Sequence, residues 1–219
     1  MFEIDHVFVC TSVGAPEANR VIEIGFSEGS SNRHPGQGTA NRRVFFDTTM
    51  LEFLWVEDEA AAQSAEVRRL GLWERWNGRT SGACPFGVCL RASDSRQELP
   101  FHTWRYQPTY SSVAIEVGIN SQAVDEPFLF YIPIVRKQRE PSARQVEPTD
   151  HPIGVRDLTG IEIWHPATGH PSSVMQAAAE LGVVTFAVAP EFLMHISFDH
   201  NAAGERRDFC SEMPLIVSW

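Results

Sequence analysis

The feature that most restricts what this chain can fold into is an order of elements that recurs along it. Residues 2–11, FEIDHVFVCT, alternate with the period of a strand, and GAPEANRVIEIGF follows with helical spacing and a glycine just past its end. SEGSSNRHPGQGTA is a loop by its Gly, Ser, Asn and Pro content, with room for a short strand, and NRRVFFDTT and MLEFLWVED then read as two strands joined by a tight turn. FGVCLRAS, HTWRYQPTY, SSVAIEVGI and PFLFYIPIV repeat the strand order, with the helix after the first of them reduced to the polar segment DSRQELP. The order returns a third time: VRDLTGIEIWHP is a strand, SSVMQAAAELGV a helix opened by a serine cap, and FLMHISFDH and MPLIVSW are closing strands. A repeat of roughly 60 residues that cannot bury its sheet alone must pack against its neighbours.

The fold class is therefore α+β. Residues 1–57 form the first βαβββ unit, and 58–80 a connecting helix with Leu70, Leu72, Trp73 and Trp76 as its packing residues. A second βαβββ-like unit spans 81–135. The charged, proline-containing tract 136–152 reads as a linker, and 153–219 as a βαββ-like unit packed on the same domain.

Charge narrows the function classes. The 219 residues carry 18 Lys and Arg against 28 Asp and Glu, a net charge of −10, and the basic residues are scattered. That argues against nucleic acid or an anionic membrane as partner. The N-terminus lacks the basic start and apolar core of a signal peptide, and no apolar run is long enough to span a bilayer, so a cytoplasmic location is expected. The four cysteines show no CxxC spacing and read as buried free thiols.

MLEFLWV, residues 50–56, is apolar on both faces except at Glu52, and an ionised carboxylate is costly in an apolar place unless it is paired, hydrogen-bonded or metal-bound. Strict alternation puts His6 on the first strand's face with Phe2, Ile4, Phe8 and Cys10. An imidazole and a carboxylate suit Zn²⁺, Fe²⁺, Mn²⁺ or Ni²⁺; the alternatives are a hydrogen-bonded His6–Glu52 pair, or Glu52 satisfied by an arginine such as Arg43. The loop NRHPGQGTAN offers His34, Thr39 and Asn41 either as a plain turn or as a pocket wall. In PFHTWRYQPTY, His102 is a candidate ligand or acid/base, Tyr110 a partner for a substrate oxygen and Arg105 for a carboxylate; a surface aromatic ladder is the competing reading. HExxH and GxGxxG are both absent from the sequence.

With IDHVFV at its start, HPGQGTANRRVFF in its middle and MLEFLWV at its end, the first unit resembles the vicinal oxygen chelate superfamily, and within it the glyoxalase-like subgroup. The superfamily includes glyoxalase I, extradiol dioxygenases, epimerases and thiol-transferring resistance proteins. The resemblance extends to FGVCLRAS, EPFLFYIPI and HPIGVRDLTGIEI. It implies tandem βαβββ units forming a cupped, partly closed mixed sheet around a pocket, with the third unit beside it and metal ligands on the first and last strands of each unit.

His6 and Glu52 match the first unit's ligand positions. The second unit departs from the pattern, with Phe86 or Gly87 where a histidine is expected and no carboxylate in PFLFYIPIV; pairing with the third unit instead puts about Gly160 there. The resulting expectation is a divalent metal (Zn, Fe, Mn or Ni) held by His6 and Glu52, with Glu52 and His102 as catalytic groups and His34, Asn41, Arg105 and Tyr110 on the substrate. An isomerase, lyase or dioxygenase acting on a small molecule with neighbouring oxygens would result. The alternative is a metal-free binding or sequestering protein that uses Phe53, Trp55, Phe128, Phe130 and Tyr131 around an apolar or aromatic molecule. Expected partners are that small molecule and, at most, a second copy of the chain as a homodimer.

Overall fold

A computed structural model describes residues 2–92, 99, 101–133, 147–166 and 169–219. Two sheets form, and the larger curls into a half-barrel. Its strands are β1 (Phe2–Cys10), β2 (Asn32–His34), β3 (Thr39–Phe45), β4 (Met50–Val56), β5 (Phe86–Ala92), β6 (Thr103–Tyr106), β7 (Ile115–Gly118) and β8 (Phe128–Ile132). They lie in the order β2-β3-β4-β1-β5-β8-β7-β6. β1 pairs parallel with β4, β5 parallel with β8, and β1 antiparallel with β5. The second half therefore mirrors the first about an axis between β1 and β5. Helix α1 (Ala18–Glu23) connects β1 to β2; the segment 94–100 that stands in its place in the second half lies, apart from Leu99, outside the described residues.

Alternation divides this sheet into two apolar faces. Val7, Val9, Leu51, Phe53, Val88, Leu90 and Leu129 point outward into one core with residues of the second sheet, including Ile161, Ile163, Met194 and Ile196. Phe8, Cys10, Leu54, Cys89, Val117, Phe128 and Phe130 form the inner face. The sheet is thus buried on both sides, which is why its strands read as nearly continuous apolar runs.

The connecting segment is not one helix. It is broken into α2 (Glu59–Ala62), a 3₁₀ turn at Arg68–Leu70 and α3 (Leu72–Asn77), and Gly71 interrupts it so that Leu70 and Leu72 both join the inner face. Arg75 of α3 is fully buried and donates from Nη1 to the carbonyls of Cys84 (2.8 Å), Val124 (3.3 Å) and Glu126 (2.5 Å). Trp76 Nε1 donates to the Thr11 carbonyl at 2.8 Å, so α3 is tied to the ends of β1 and β5 together.

The smaller sheet contains β9 (Leu158–His165), β10 (Thr185–Val188), β11 (Leu193–Phe198), β12 (Arg206–Asp208) and β13 (Leu215–Ser218), in the order β10-β9-β11-β13-β12. Helix α4 (Ser173–Glu180) begins at the expected cap, where Ser172 Oγ accepts from Met175 N at 3.2 Å. The tract 136–152 lies outside the described residues as far as 146. From Glu147 onward it is fastened to the first unit: Glu147 accepts from Ser30 N (2.9 Å), and His151 accepts from Ser27 N at Nδ1 (2.9 Å) and donates from Nε2 to the Phe45 carbonyl (3.0 Å). Cys10, Cys84 and Cys89 are buried thiols as expected, whereas Cys210 is exposed, on a loop beyond the short edge strand β12. Among the described residues no helix is long and apolar enough to cross a membrane.

Candidate functional site

The first strand does not alternate without interruption. Ile4 pairs with Leu90 but His6 pairs with Cys89, leaving Asp5 as the extra residue of a β-bulge. Phe2 and Ile4 consequently pack in the outer core, while Phe8 and Cys10 lie on the inner face with His6. The expectation of one shared face from Phe2 to Cys10 fails at the bulge, since an inserted residue reverses the pleat. The bulge also brings Asp5 beside its neighbour: His6 Nδ1 and Asp5 Oδ1 are 2.7 Å apart. Arg91, 5 % exposed, holds the other Asp5 oxygen at 3.0 Å and donates to the Thr48 carbonyl at 2.8 Å. With Nδ1 committed to Asp5, His6 has Nε2 left for chemistry.

The inner face encloses a cavity of about 180 Å³. Its polar end is made by His6, Glu52, His34, Gln37 and Tyr110, and its body by Phe8, Leu54, Tyr106, Val117, Phe128 and Phe130 among others. Glu52 reaches it because β4 runs parallel to β1 with Glu52 opposite Phe8, two residues beyond His6 on the same face. Glu52 is 8 % exposed, and among the described residues no hydrogen bond or ion pair reaches its carboxylate. Arg43 sits directly across from it on β3 but turns to Ser30, donating to its carbonyl at 2.7 Å and its hydroxyl at 2.6 Å. Burial disfavours the His6 imidazolium, but the Cys89 sulfur, the Glu52 carboxylate and the Asp5 hydrogen bond outweigh it and raise His6 well above the usual histidine range. Burial pushes the Cys89 thiol up to about 11.

The β2–β3 loop supplies the opposite wall. His34 stacks on Tyr110 with ring centroids 4.7 Å apart, and its Nδ1 meets Thr39 Oγ1 at 2.8 Å. Gln37 Nε2 donates to the same Thr39 oxygen at 2.8 Å, and Tyr110 donates to Gln37 Oε1 at 3.0 Å. Burial lowers His34 below the usual histidine value and raises the Tyr110 phenol.

The structure brings His6, Glu52, His34 and Tyr110 to one cavity. Asn41 is fully buried on β3 beside Leu54, with Oδ1 accepting from Asn32 N at 3.0 Å and Nδ2 without a partner among the described residues. His102 and Arg105 are exposed and do not line the cavity. Of the aromatic residues expected around a ligand, Phe128 and Phe130 line the cavity, whereas Phe53, Trp55 and Tyr131 point into the outer core. Adjacent residues of a strand cannot share a face, and Phe53 and Trp55 have the opposite parity to Glu52. Asp5, Arg91, Gln37, Phe8 and Cys89 are the participants that sequence reasoning missed. The bulge and the β1–β5 register bring in Asp5, Arg91, Phe8 and Cys89, and the bonds to Thr39 and Tyr110 bring in Gln37; no local pattern announces them.

The second half contributes no ligand at the position opposite His6's strand neighbour. Gly87 faces Phe8 across the β1–β5 pair, and a Cβ on it would lie 2.1 Å from Phe8 Cε1. The Phe8 ring occupies the space a side chain there would need. Cys89, cross-strand from His6, belongs with Asp5 and His6 to the one group among the described residues whose three ligand-type atoms lie within 4.8 Å of one another. Asp5 is already engaged by Arg91 and His6. The remaining donors toward the cavity are His6, whose ring also interacts with the Cys89 sulfur, and the Glu52 carboxylate. Their chemistry fits a borderline divalent metal: an imidazole oriented by a carboxylate on its other nitrogen, and a buried carboxylate with no hydrogen bond or ion pair among the described residues.

Comparison with known proteins agrees with this architecture. A hypothetical protein from Staphylococcus aureus has a solved structure similar over 100 % of this chain and 99 % of its own, with a TM-score of 0.50 and 10 % identity, a likeness of fold alone. A xylose isomerase-like TIM barrel/4-hydroxyphenylpyruvate dioxygenase fusion protein aligns with 90 % of this chain at a TM-score of 0.45 and 10 % identity, and the chain spans 36 % of that protein's length. No curated protein matches the sequence. Residues 4–103, which include His6, the β2–β3 loop and Glu52, match the family described as the Glyoxalase-like domain. Through this segment, somewhat less than half of its length, the chain is similar to the glyoxalase-like domains.

Proposed function

We propose that the protein is a metal-dependent enzyme of the vicinal oxygen chelate type acting on a small molecule in the inner cavity. The observation that carries this reading is Glu52, a buried carboxylate with no hydrogen bond or ion pair among the described residues, on the same cavity as a histidine whose other nitrogen is fixed by Asp5. His6 and Glu52 would hold the metal, which when bound would act as a Lewis acid on neighbouring oxygens of the substrate.

The protein's own groups prepare the site. Asp5 accepts the His6 Nδ1 proton, so a metal displacing the Nε2 proton would meet Nε2 as its ligand atom. Arg91, anchored on the Thr48 carbonyl, holds Asp5 in place. Phe8, Phe128 and Phe130 keep water from the body of the cavity, which strengthens every electrostatic contact made at its polar end. Isomerase, lyase and dioxygenase chemistry are all compatible with this arrangement.

Metal content of protein purified without chelator, followed by calorimetric titration with Zn²⁺, Mn²⁺, Ni²⁺ and anaerobic Fe²⁺, tests the proposal. One equivalent is expected in the native protein and none in Glu52→Gln; no uptake of any of the four ions would sink it. A second reading is supported by the Phe8 ring over Gly87 and by Phe128 and Phe130 in the other half. It is a metal-free protein that binds an apolar small molecule in the same cavity, recognised by thermal stabilisation with aromatic compounds and none with metals.

A further inference from the structure

The hydrogen bonds behind His34 have a direction. Tyr110 can only donate to an amide oxygen, which turns the Gln37 NH₂ group toward Thr39, whose hydroxyl accepts from it. Thr39 is 2 % exposed, and among the described residues His34 Nδ1 is the one acceptor in reach of its own proton. If His34 donated instead, a buried hydroxyl proton would be left unpaired, which costs more than the bond is worth. The chain therefore runs Tyr110 to Gln37 to Thr39 to His34, ending with an unprotonated Nδ1 and a proton on Nε2.

The loop that carries the relay is held in one shape. Thr109 Oγ1 donates to the Pro35 carbonyl at 2.7 Å, and Gly36 and Gly38 lie at φ +80° and +78°. A Cβ at Gly38 would stand 2.3 Å from the Asp58 carbonyl, and one at Gly36 2.5 Å from Thr109 Oγ1. The Tyr110 ring stacked on the imidazole fixes its plane. Burial further disfavours the imidazolium of His34.

The rest of the lining limits what His34 can meet. Among the described residues no lysine or arginine lines the cavity, Arg43 is turned to Ser30, and Glu52 faces inward. A carboxylate or phosphate on the ligand would be buried against Glu52 with no lysine or arginine among the described residues to offset it, and His6 is already engaged by Asp5.

We infer that His34 is a hydrogen-bond donor to the ligand of this cavity, in its Nε2–H form, and that the ligand is a compact apolar or aromatic carbonyl compound, a ketone or aldehyde without an acid group, whose oxygen accepts from it. In the reaction the same proton stabilises negative charge developing on that oxygen without leaving nitrogen, so His34 acts as a catalytic electrophile and Gln37, Thr39 and Tyr110 as positioning residues. This rests on the inner cavity being the ligand site and not on a bound metal.

The test uses the metal-free full-length protein. Long-range ¹H–¹⁵N spectra of ¹⁵N-histidine-labelled protein at pH 7 should show His34 as the neutral Nε2–H tautomer. Thr39→Val should abolish that preference and Thr39→Ser retain it. Acetophenone should bind about tenfold more tightly than ethylbenzene, the worth of one neutral hydrogen bond, and benzoate not at all. His34→Phe should erase the acetophenone preference while leaving metal uptake, read separately, as in the native protein. An Nδ1–H tautomer, equal affinity for the two neutral probes, no binding of either, or a preference that survives in His34→Phe would each overturn the inference. Loss of metal uptake in Glu52→Gln reports on the metal reading alone.

Discussion

Substituting Gly87 by alanine tests how the two halves of the large sheet meet at the cavity. The new Cβ would lie 2.1, 2.4 and 2.7 Å from three atoms of the Phe8 ring, against an ordinary carbon–carbon contact of about 3.5–4.0 Å. The ring must retreat by roughly 1.5 Å on that comparison. On one side it meets Phe128, whose ring centroid is 6.0 Å away; on the other it meets the cavity. Retreat therefore goes into the cavity, at the typical overpacking cost of about 1–3 kcal/mol. For a chain of this length that corresponds to a melting temperature lower by roughly 2–12 °C. Thermal and urea unfolding of the native protein, Gly87→Ala, Phe8→Ala and the double variant form a closed cycle. With the ring removed the alanine has nothing to strike, so the double variant should be as stable as Phe8→Ala alone, a coupling of at least about 1 kcal/mol. Strict additivity, or a Gly87→Ala protein as stable as the native one, would refute the account of Phe8 as the group that fills the second half's ligand position.

Two further outcomes follow from buried polar groups. Burial lowers the pKa of His151 despite its hydrogen bond to the Phe45 carbonyl, and its Nδ1 must be unprotonated to accept from Ser27. As pH falls through the ordinary histidine value the unfolded chain takes up a proton that the folded chain refuses, so stability declines with acidity in that window and is complete above it. Urea midpoints at pH 7.5 and 5.5 should differ more for the native protein than for His151→Gln, and equal differences would count against the assignment. Arg75→Ala removes the donor to three carbonyls and empties a fully buried site, so it should cost about 3 kcal/mol or more by chemical denaturation. A loss below about 1 kcal/mol would show that those bonds contribute little net stability.

The sequence by itself determined the strands, because a period of two and a clean boundary of turn residues are local properties: β1, β4, β5, β8, β9, β11 and β13 all lie within the runs read from it. It also singled out Glu52, since a lone carboxylate among apolar residues is visible without any partner being known. His6 and Glu52 come to one cavity because both are on paired strands with matching parity. Only the tertiary structure decided the rest. The bulge at Asp5 reverses the first strand's pleat and gives His6 its carboxylate, and it arises from the pairing with β5, some 80 residues away. The exchange of a second ligand for the Phe8 ring over Gly87 depends on the β1–β5 register, which neither strand encodes alone. The relay through Gln37 joins Tyr110 to His34 across 73 residues of chain between Gln37 and Tyr110. The faces of Phe53 and Trp55 follow from parity once the inner side of the curl is known, and that side is fixed by which face the second sheet covers. Local chemistry determined what each segment is, and long-range pairing determined which of its atoms meet.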